Sequence, residues 1–236
     1  MASSRRQSTS LELLVRAAEN VLRIIRDETS EIVVACSFGK DSLATVDLCS
    51  RVFDRLHVFY LYRLPGIRLI ERYRRLIKRR YKNIVQIMML PHFDLSRIFR
   101  YAVLMPHWRG LEDTPVLTFR EVEDYVRLKT GVEWVAYGWR RNESIHRAVI
   151  LKHPDGIDFN NFRVFPIWRW TAKDVYAYLH RIGIPPPPTF GRRDQSGFDF
   201  HPAALKYLRD NEPDTWRRWL ECFPFSPVML VEWKNG

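Results

Sequence analysis

The sequence predicts an α/β fold, namely a doubly wound, mostly parallel sheet with a small, mainly helical C-terminal appendage. Three observations predict it. Short apolar runs alternate with amphipathic stretches, the first run ends in a glycine-containing turn, and the spacing of strand, helix and strand is typical of parallel crossovers. In open sheets of this kind the ligand lies beyond the carboxyl ends of the strands. We therefore expect the loops that follow the strands to form the functional site.

The length of the chain fits one such domain. Its 236 residues, 46% of them hydrophobic, are enough to bury a full core without disulfide bonds. Four prolines at 185–188 predict an extended, stiff spacer, so we divide the chain into an α/β domain over 1–184 and a helical segment over 185–236. No run approaches the ~20 apolar residues of a membrane span, and no apolar leader follows Met1. We expect a cytoplasmic protein without a membrane partner.

The formal net charge of +11 favours anionic partners but does not choose among nucleotides, sulfate and nucleic acid. Basic residues crowd the segment 68–82, where Leu69, Tyr73, Leu76 and Ile77 keep helical spacing. This pattern predicts an amphipathic helix with a basic outer face. The face is either simply solvated or a surface for a polyanion, so nucleic acid remains a possible partner.

The first strand and the loop after it form the main candidate site. The apolar run 32–36 predicts a buried parallel strand, and Ser37-Phe38-Gly39-Lys40-Asp41-Ser42 leads from it into a helix over 43–49. Phosphate binds readily at such a place, because the first helical amides have no internal partners and the helix dipole favours negative charge. Gly39 lets the backbone approach a phosphate, Lys40 neutralises it, and Ser37 and Ser42 donate hydroxyl hydrogen bonds. Asp41 fits as a helix cap or a metal ligand.

The remaining elements follow from the same patterns. Residues 1–8 are expected to be disordered, and Thr9-Ser10-Leu11-Glu12 resembles a capping box for a first helix that ends near Asp27. Further strands are predicted over 56–62, 84–90 and 133–137, a helix over 119–129, and another helix with Thr171 as its N-cap. Residues 92–117 are expected to be irregular and lid-like, with His92, His107 and Trp108 as candidate lining residues. Residues 228–231 are apolar enough to dock as a strand.

A second candidate motif follows the fourth predicted strand, at Gly138-Trp139-Arg140-Arg141-Asn142-Glu143-Ser144-Ile145-His146-Arg147. Gly138 permits a tight exit from the strand, and Arg140 and Arg141 offer planar forks suited to phosphate or sulfate oxygens. Arg147 lies four residues after Glu143, so the two can pair on one helix face while a phosphate shares the arginine.

The first motif resembles the SGGKDS loop of the PP-loop superfamily, with Phe38 in place of the second glycine. The second resembles the Gly-x-Arg-x-x-Glu-Ser-x-x-Arg segment of the phosphoadenosine phosphosulfate reductase family within it, and 164–179 resembles that family's Pro-Ile/Leu-x-x-Trp-Thr element. The resemblance covers roughly residues 30 to 190. It implies a Rossmann-like, PP-loop type fold that binds an adenine nucleotide, either ATP or a sulfonucleotide such as phosphoadenosine phosphosulfate (PAPS) or adenosine phosphosulfate, with magnesium. The implied binding residues are Ser37, Phe38, Gly39, Lys40, Asp41, Ser42, Gly138, Arg140, Arg141, Glu143, Ser144 and Arg147.

For catalysis the resemblance implies Lys40, Asp41, Arg140 and Arg141, together with a C-terminal cysteine. Sulfonucleotide reductases attack the sulfate with a thiolate on a Glu-Cys-Gly-x-His tail, and Glu221-Cys222 matches only the start of that tail. The Asp-Thr-Gly turn usual after the second strand is also missing here, where 60–66 reads Tyr-Leu-Tyr-Arg-Leu-Pro-Gly. Cys222 is therefore the weakest of the candidates.

The cysteines exclude some kinds of site. Cys36, Cys49 and Cys222 contain no Cys-x-x-Cys pair, so we expect neither a disulfide framework nor an iron–sulfur cluster. Asp199 and His201 offer only two ligands, so no structural zinc is expected either.

Two classes of function stay open. One is an enzyme that reduces a sulfonucleotide or cleaves ATP to AMP and pyrophosphate in sulfur-transfer chemistry, with nucleic acid as a possible acceptor. The other is a nucleotide-sensing or nucleic-acid-binding subunit without catalysis. A homo-oligomer is possible in either case.

Overall fold

The computed structural model describes residues 2–100, 115–151, 154–190, 198 and 200–231. Its α-helices are α1 (Ala2–Arg26), α2 (Lys40–Val52), α3 (Arg68–Arg80), α4 (Asp94–Arg100), α5 (Phe119–Thr130), α6 (Ile145–Ile150), α7 (Ala172–Arg181), α8 (Pro202–Asn211) and α9 (Pro213–Cys222). Its strands are β1 (Glu31–Ala35), β2 (Arg55–Tyr62), β3 (Ile84–Pro91), β4 (Val135–Tyr137), β5 (Ile157–Asp158) and β6 (Arg163–Val164).

The six strands form one sheet in the order β3-β2-β1-β4-β6-β5. All neighbours pair in parallel except β5 and β6, which are antiparallel. The predicted α/β fold with a mostly parallel sheet is therefore confirmed. The chain runs from β1 outward through β2 to β3 and then returns to β4 on the other side of β1. This reversal places a topological switch point between β1 and β4, where ligands of open α/β sheets bind.

Both faces of the sheet are buried, as a doubly wound sheet requires. Ile32 and Val34 of β1 belong to the larger hydrophobic cluster, whereas Val33 between them belongs to a second cluster on the opposite face. Successive side chains of β1 therefore pack into two hydrophobic cores, one on each face of the sheet. The carboxyl end of β1 is held between them, so the loop that follows starts from a rigid position.

Helix N-termini are fixed in two ways. Thr118 of α5 and Thr171 of α7 each form a capping box with the residue three positions later, which confirms the predicted N-cap at Thr171. Helix α3 has no side-chain cap of its own, and the buried Glu212 accepts hydrogen bonds from the backbone N–H groups of Arg68 and Leu69 at 2.8 and 2.9 Å.

One buried carboxylate joins three helices on the face opposite α5. Asp47 of α2 accepts hydrogen bonds from the hydroxyls of Tyr81 and Tyr178, each at 2.6 Å, and pairs with Arg51 at 2.7 Å. Burial, followed by the Asp47 charge, raises the pKa of both tyrosines, so they remain hydroxyl donors. The cluster holds α2 to the end of α3 and to α7.

Three local predictions are wrong. Helix α1 begins at Ala2, because neither glycine nor proline interrupts 2–26, and residues 94–100 form α4 within the stretch expected to be irregular. Residues 226–230 form a 3₁₀ helix in place of the expected strand, since Pro227 lacks an N–H for a ladder and Ser226 accepts a hydrogen bond from the Trp219 indole at 2.8 Å.

The C-terminal segment packs on the same core as the sheet. Leu205, Trp219 and Phe223 lie in the hydrophobic cluster that contains Val34 of β1. Within the part of the chain that the structure describes, no helix is both long and apolar enough to cross a bilayer.

Candidate functional site

The loop between β1 and α2 presents a helix N-terminus at the switch point. Gly39 is the N-cap in extended conformation and provides no side-chain cap. The loop is tied by its serines: the Gly39 amide donates to Ser37 Oγ at 3.3 Å, Ser42 Oγ donates to the Gly39 carbonyl at 3.0 Å, and the two hydroxyl oxygens lie 3.3 Å apart. Such an end favours an anion, because the helix dipole and the first amides both point toward it.

Phe38 explains why glycine is usual at its position. Its φ of 56° lies in the left-handed region, which costs about 1 kcal/mol for a residue with a side chain. Its ring is buried, with the centroid 5.2 Å from that of Tyr60 in β2. Burying an aromatic ring outweighs that cost, so Phe38 anchors the loop in the core and its side chain does not reach the cavity described below.

Gly138, directly after β4, is required by close packing. A Cβ atom built on it would lie 2.8 Å from the carbonyl carbon and oxygen of Asp41 and 3.0 Å from the Ser42 amide nitrogen. The exit of β4 therefore runs backbone against backbone along the start of α2. This contact brings the carboxyl ends of β1 and β4, which are distant in sequence, together at the site.

Alternating charges extend from the loop into the second motif. Arg140 Nε donates to Asp41 Oδ1 at 2.6 Å, Arg140 Nη2 lies 3.4 Å from Glu143 Oε1, and Glu143 pairs with Arg147. The Arg147 guanidinium lies 5.3 Å from the Trp139 ring centroid. Burial lowers the pKa of Arg147, and the Asp41 charge opposes that effect. These ion pairs fix the two motifs relative to each other, and Arg147 is the last residue of the series.

These elements enclose a cavity of about 550 Å³ at the carboxyl ends of β1, β2 and β4. That volume is typical of a site for a nucleotide-sized molecule. The lining residues are Ala35, Cys36, Ser37, Gly39, Asp41, Ser42, Phe59, Tyr60, Leu61, Arg63, His92, Phe119, Tyr137, Gly138, Trp139, Glu143, Ser144, Arg147 and Phe198.

Five predicted site residues lie outside the described walls of this cavity: Cys222, and four that lie within two residues of a lining residue in the sequence. Phe38 and Lys40 are buried, with the Lys40 side chain 1% exposed and its Nζ 3.0 Å from Asp41 Oδ2. Arg140 is 4% exposed and paired as above, whereas Arg141 faces solvent. Of the four predicted cations, two are thus structural partners of Asp41, one faces solvent, and only Arg147 lines the described cavity.

The cysteines are held as thiols. Burial raises the pKa of Cys36, which lines the cavity, to about 11, and raises the pKa of Cys49 further. Cys222, the last residue of α9, is half-buried and lies outside the described cavity walls. Burial and then the charge of Glu221 raise its pKa as well. Low-pKa thiolates, the form that attacks electrophiles, are therefore not favoured at these positions.

Sequence reasoning missed several lining residues. Phe119 and Tyr137 contribute aromatic surface, and Phe198 comes from the C-terminal segment. Arg63 was not among the predicted site residues, although it directly follows β2, the strand that pairs with β1.

Other candidates lie outside the described residues, namely His107, Trp108 and Asp199. His201 caps α8 by accepting from the Ala203 amide at 3.2 Å. Among the described residues, no group of three or more His, Cys, Asp or Glu side chains is arranged to hold a metal ion.

The basic segment over 68–82 forms α3 and the turn after it. Five of its basic residues donate hydrogen bonds to the protein itself: Arg68, Arg74, Arg75, Lys78 and Arg80. The other three, Arg72, Arg79 and Lys82, are exposed. Most of the basic residues of this segment therefore form hydrogen bonds within the protein.

Comparison with known proteins identifies relatives of the chain. Residues 31–196 match the family model described as the phosphoadenosine phosphosulfate reductase domain. The adenosine 5′-phosphosulfate reductase of Geobacillus thermodenitrificans is 28% identical over 163 residues, covering 68% of this chain and 67% of that protein. The phosphoadenosine 5′-phosphosulfate reductase of Synechocystis sp. is 33% identical over 116 residues, covering 46% of each.

A solved structure supports the fold alone. The NH₃-dependent NAD synthetase of Campylobacter jejuni superposes with a TM-score of 0.51 at 11% sequence identity, covering 96% of this chain and 99% of that chain.

Proposed function

This chain belongs to the phosphoadenosine phosphosulfate reductase domain family, and from that premise we propose that it binds an adenine sulfonucleotide in the cavity and takes part in its reduction. The observation that carries the proposal is the convergence of the uncapped N-terminus of α2 and the Arg147 guanidinium on one cavity. Both favour an anion: α2 has no side-chain cap, and Arg147, although paired with Glu143, still forms part of the cavity wall.

The chemistry assigns a role to each part. In reductive cleavage a thiolate attacks the sulfur atom, the S–O bond to the 5′-phosphate breaks, and the nucleotide phosphate leaves with the electron pair. A second thiol then releases sulfite and forms a disulfide. The helix amides and Arg147 would stabilise the negative charge that develops on the leaving phosphate. Arg140 and Asp41 would act as positioning residues, because they hold the two motifs together.

The source of the thiolate is the point to test. Cys222 lies outside the described cavity walls, and burial followed by the charge of Glu221 raises its pKa, so neither its position nor its surroundings favour it as the thiolate. The alternative source is an external dithiol. Sulfite release from PAPS or adenosine phosphosulfate should be measured with thioredoxin and with dithiothreitol, for the wild type, Cys222→Ser and the buried-cysteine control Cys49→Ala. Loss confined to Cys222→Ser would assign the nucleophile.

Because Cys222 lies outside the described cavity walls, a second candidate belongs in the same assay: AMP-forming cleavage of ATP for sulfur transfer, which needs no thiolate on this chain. Its product would be pyrophosphate. Arg72, Arg79 and Lys82 would offer contacts to a nucleic-acid acceptor, and affinity that does not fall with added salt would exclude that role.

Magnesium held by the protein does not fit this arrangement. Asp41 is the loop carboxylate, and its oxygens already accept from Lys40 at 3.0 Å and Arg140 at 2.6 Å. Magnesium would instead enter with ATP as part of the substrate. Nucleotide binding without sulfite or pyrophosphate release would favour the non-catalytic, sensing function over both enzymatic candidates.

A further inference from the structure

One wall of the cavity is tied to a buried carboxylate that is not itself part of the described lining. Glu123 of α5 is 1% exposed, and the Tyr137 hydroxyl donates to its Oε1 at 2.6 Å. Tyr137, the last residue of β4, does line the cavity. We propose that Glu123 is a positioning residue: through the Tyr137 ring it holds the Arg147 guanidinium in place for the anionic group of the ligand. The inference rests on the proposed function, because it assumes that an anionic nucleotide occupies the cavity.

The carboxylate of Glu123 has charged partners besides the tyrosine. Its two oxygens accept from Nε and Nη2 of Arg163 in β6, the first at 2.9 Å, and Arg127 Nη2 lies 3.4 Å from Oε1. The two guanidinium groups compensate the buried charge and join α5 to the sheet. The hydroxyl of Tyr137 is therefore a further bond to an acceptor that is already fixed. Such charge-assisted bonds are strong, so this one fixes the orientation of the tyrosine ring.

The hydroxyl stays a donor under all ordinary conditions. Burial, followed by the charge of Glu123, raises the pKa of Tyr137 well above its usual value. The bond to the carboxylate is therefore permanent in the folded protein.

The fixed ring leads to Arg147 through one neighbour. The Tyr137 ring centroid lies 4.9 Å from that of Trp139, with 38° between the ring planes. Trp139 also stacks on Phe165, with 5.5 Å between the centroids and 24° between the planes. The Arg147 guanidinium lies 5.3 Å from the Trp139 ring centroid. Because these rings pack closely, a displaced Tyr137 would shift Trp139 and with it the surface against which Arg147 lies.

Arg147 depends on this support more than the other cations of the two motifs that are buried. Its side chain is 34% exposed, and its ion pair with Glu143 holds only one side of the guanidinium. An exposed arginine loses side-chain entropy when it binds an anion. A ring that restricts the guanidinium beforehand lowers that cost, so the bond from Tyr137 to Glu123 should strengthen the binding of a charged ligand.

Equilibrium titration with adenosine 5′-monophosphate and with uncharged adenosine tests the inference. Tyr137→Phe keeps the ring and removes its bond to Glu123. We expect this variant to bind the monophosphate about fivefold more weakly than the wild type does. Adenosine should bind both proteins equally, because only the charged ligand uses Arg147. Thermal unfolding of each variant shows whether a loss of binding merely follows a loss of stability.

Two control variants weaken buried carboxylate clusters without removing that bond. Tyr81→Phe removes an equally short hydroxyl bond, to Asp47 at 2.6 Å, on the other face of the sheet. Arg163→Gln removes two bonds to Glu123 and leaves the one from Tyr137. Both should lower the midpoint of thermal unfolding, as Tyr137→Phe does, and both should bind the monophosphate within about twofold of the wild type.

Equal affinity of Tyr137→Phe and the wild type for the monophosphate would overturn the inference and leave the proposed function intact. An equal loss of affinity for adenosine and the monophosphate would overturn it as well, and so would losses in all three variants that follow their unfolding midpoints. If the wild type bound neither ligand, the proposed function itself would be contradicted.

Discussion

The N-termini of α2 and α3 meet the same physical demand in different ways. Neither Gly39 before α2 nor Ile67 before α3 provides a side-chain cap. At α3 the carboxylate of Glu212, 144 residues beyond Arg68, accepts from two backbone amides and also from the Thr215 hydroxyl at 2.9 Å. At α2 the corresponding space is a cavity of about 550 Å³.

The difference between the two helix ends distinguishes a structural cap from a candidate binding site. A buried carboxylate at α3 is a permanent anion, and it ties the C-terminal segment to the sheet. Among the described residues no carboxylate caps the first amides of α2, and this end opens toward a cavity that Arg147 also lines, so an anion bound there would be exchangeable. Four predictions test whether this contrast is real.

The largest effect is expected at Phe38, which sets the rigidity of the α2 loop. Phe38→Ala keeps the left-handed backbone and loses the buried ring, so the free energy of unfolding should fall by about 4 kcal/mol. Phe38→Gly loses the ring but relieves the backbone, so it should be about 1 kcal/mol more stable than the alanine variant. Urea denaturation measures both. Equal stability of the two variants would show that the backbone at Phe38 is not strained.

The second largest effect is expected from removing the Glu212 carboxylate, the permanent anion at α3. In Glu212→Ala two amides of α3 and the Thr215 hydroxyl lose their buried acceptor, and the unfolding free energy should fall by about 3 kcal/mol. The control Asp210→Ala breaks an exposed pair with Arg209 and should leave the unfolding free energy close to that of the wild type. If Glu212→Ala proved as mild as its control, α3 would not depend on this cap.

A smaller effect, on binding, is expected at Gly138. The added methyl of Gly138→Ala meets the Asp41 backbone, so the start of α2 must shift and nucleotide affinity should fall about tenfold, equivalent to about 1.4 kcal/mol. Gly131→Ala is the matched control, because its φ of 72° costs stability while no atom lies within 4 Å of its Cβ position. Calorimetric titration should show weakened binding only for Gly138→Ala.

The smallest effect concerns the exchangeable anion itself. About 20 mM sulfate, compared with chloride at equal ionic strength, should stabilise the wild type by about 1 kcal/mol if its Kd is about 5 mM. The gain should shrink in Gly138→Ala and persist in Glu212→Ala, because only the first variant disturbs α2. A sulfate effect of the same size in both variants would indicate general exclusion of the salt from the surface.

Much of the framework could be predicted locally. The strands β1, β2, β3 and β4 each read as an apolar run, and the capping box at Thr171 is complete within four residues. The errors came where local signals compete with the rest of the fold. At 226–230 the apolar composition predicts a strand, but Pro227 and the hydrogen bond from the Trp219 indole favour a 3₁₀ helix.

The candidate site was less accessible. The two motifs were found, because glycine and charged residues after buried strands are informative on their own. The sequence could not predict which cations line the cavity. Lys40, Arg140, Arg141 and Arg147 are all basic residues of the two motifs, and they differ only in burial and pairing.

The order of residues alone was enough for the α/β class and the family, because periodicity and short motifs are local properties. The tertiary structure decided which charges are used within the protein and which line the cavity. It brought Glu212 to α3, Gly138 to the backbone of Asp41, and Arg63 to the cavity wall. These contacts join distant parts of the chain, and only packing around the shared core selects them.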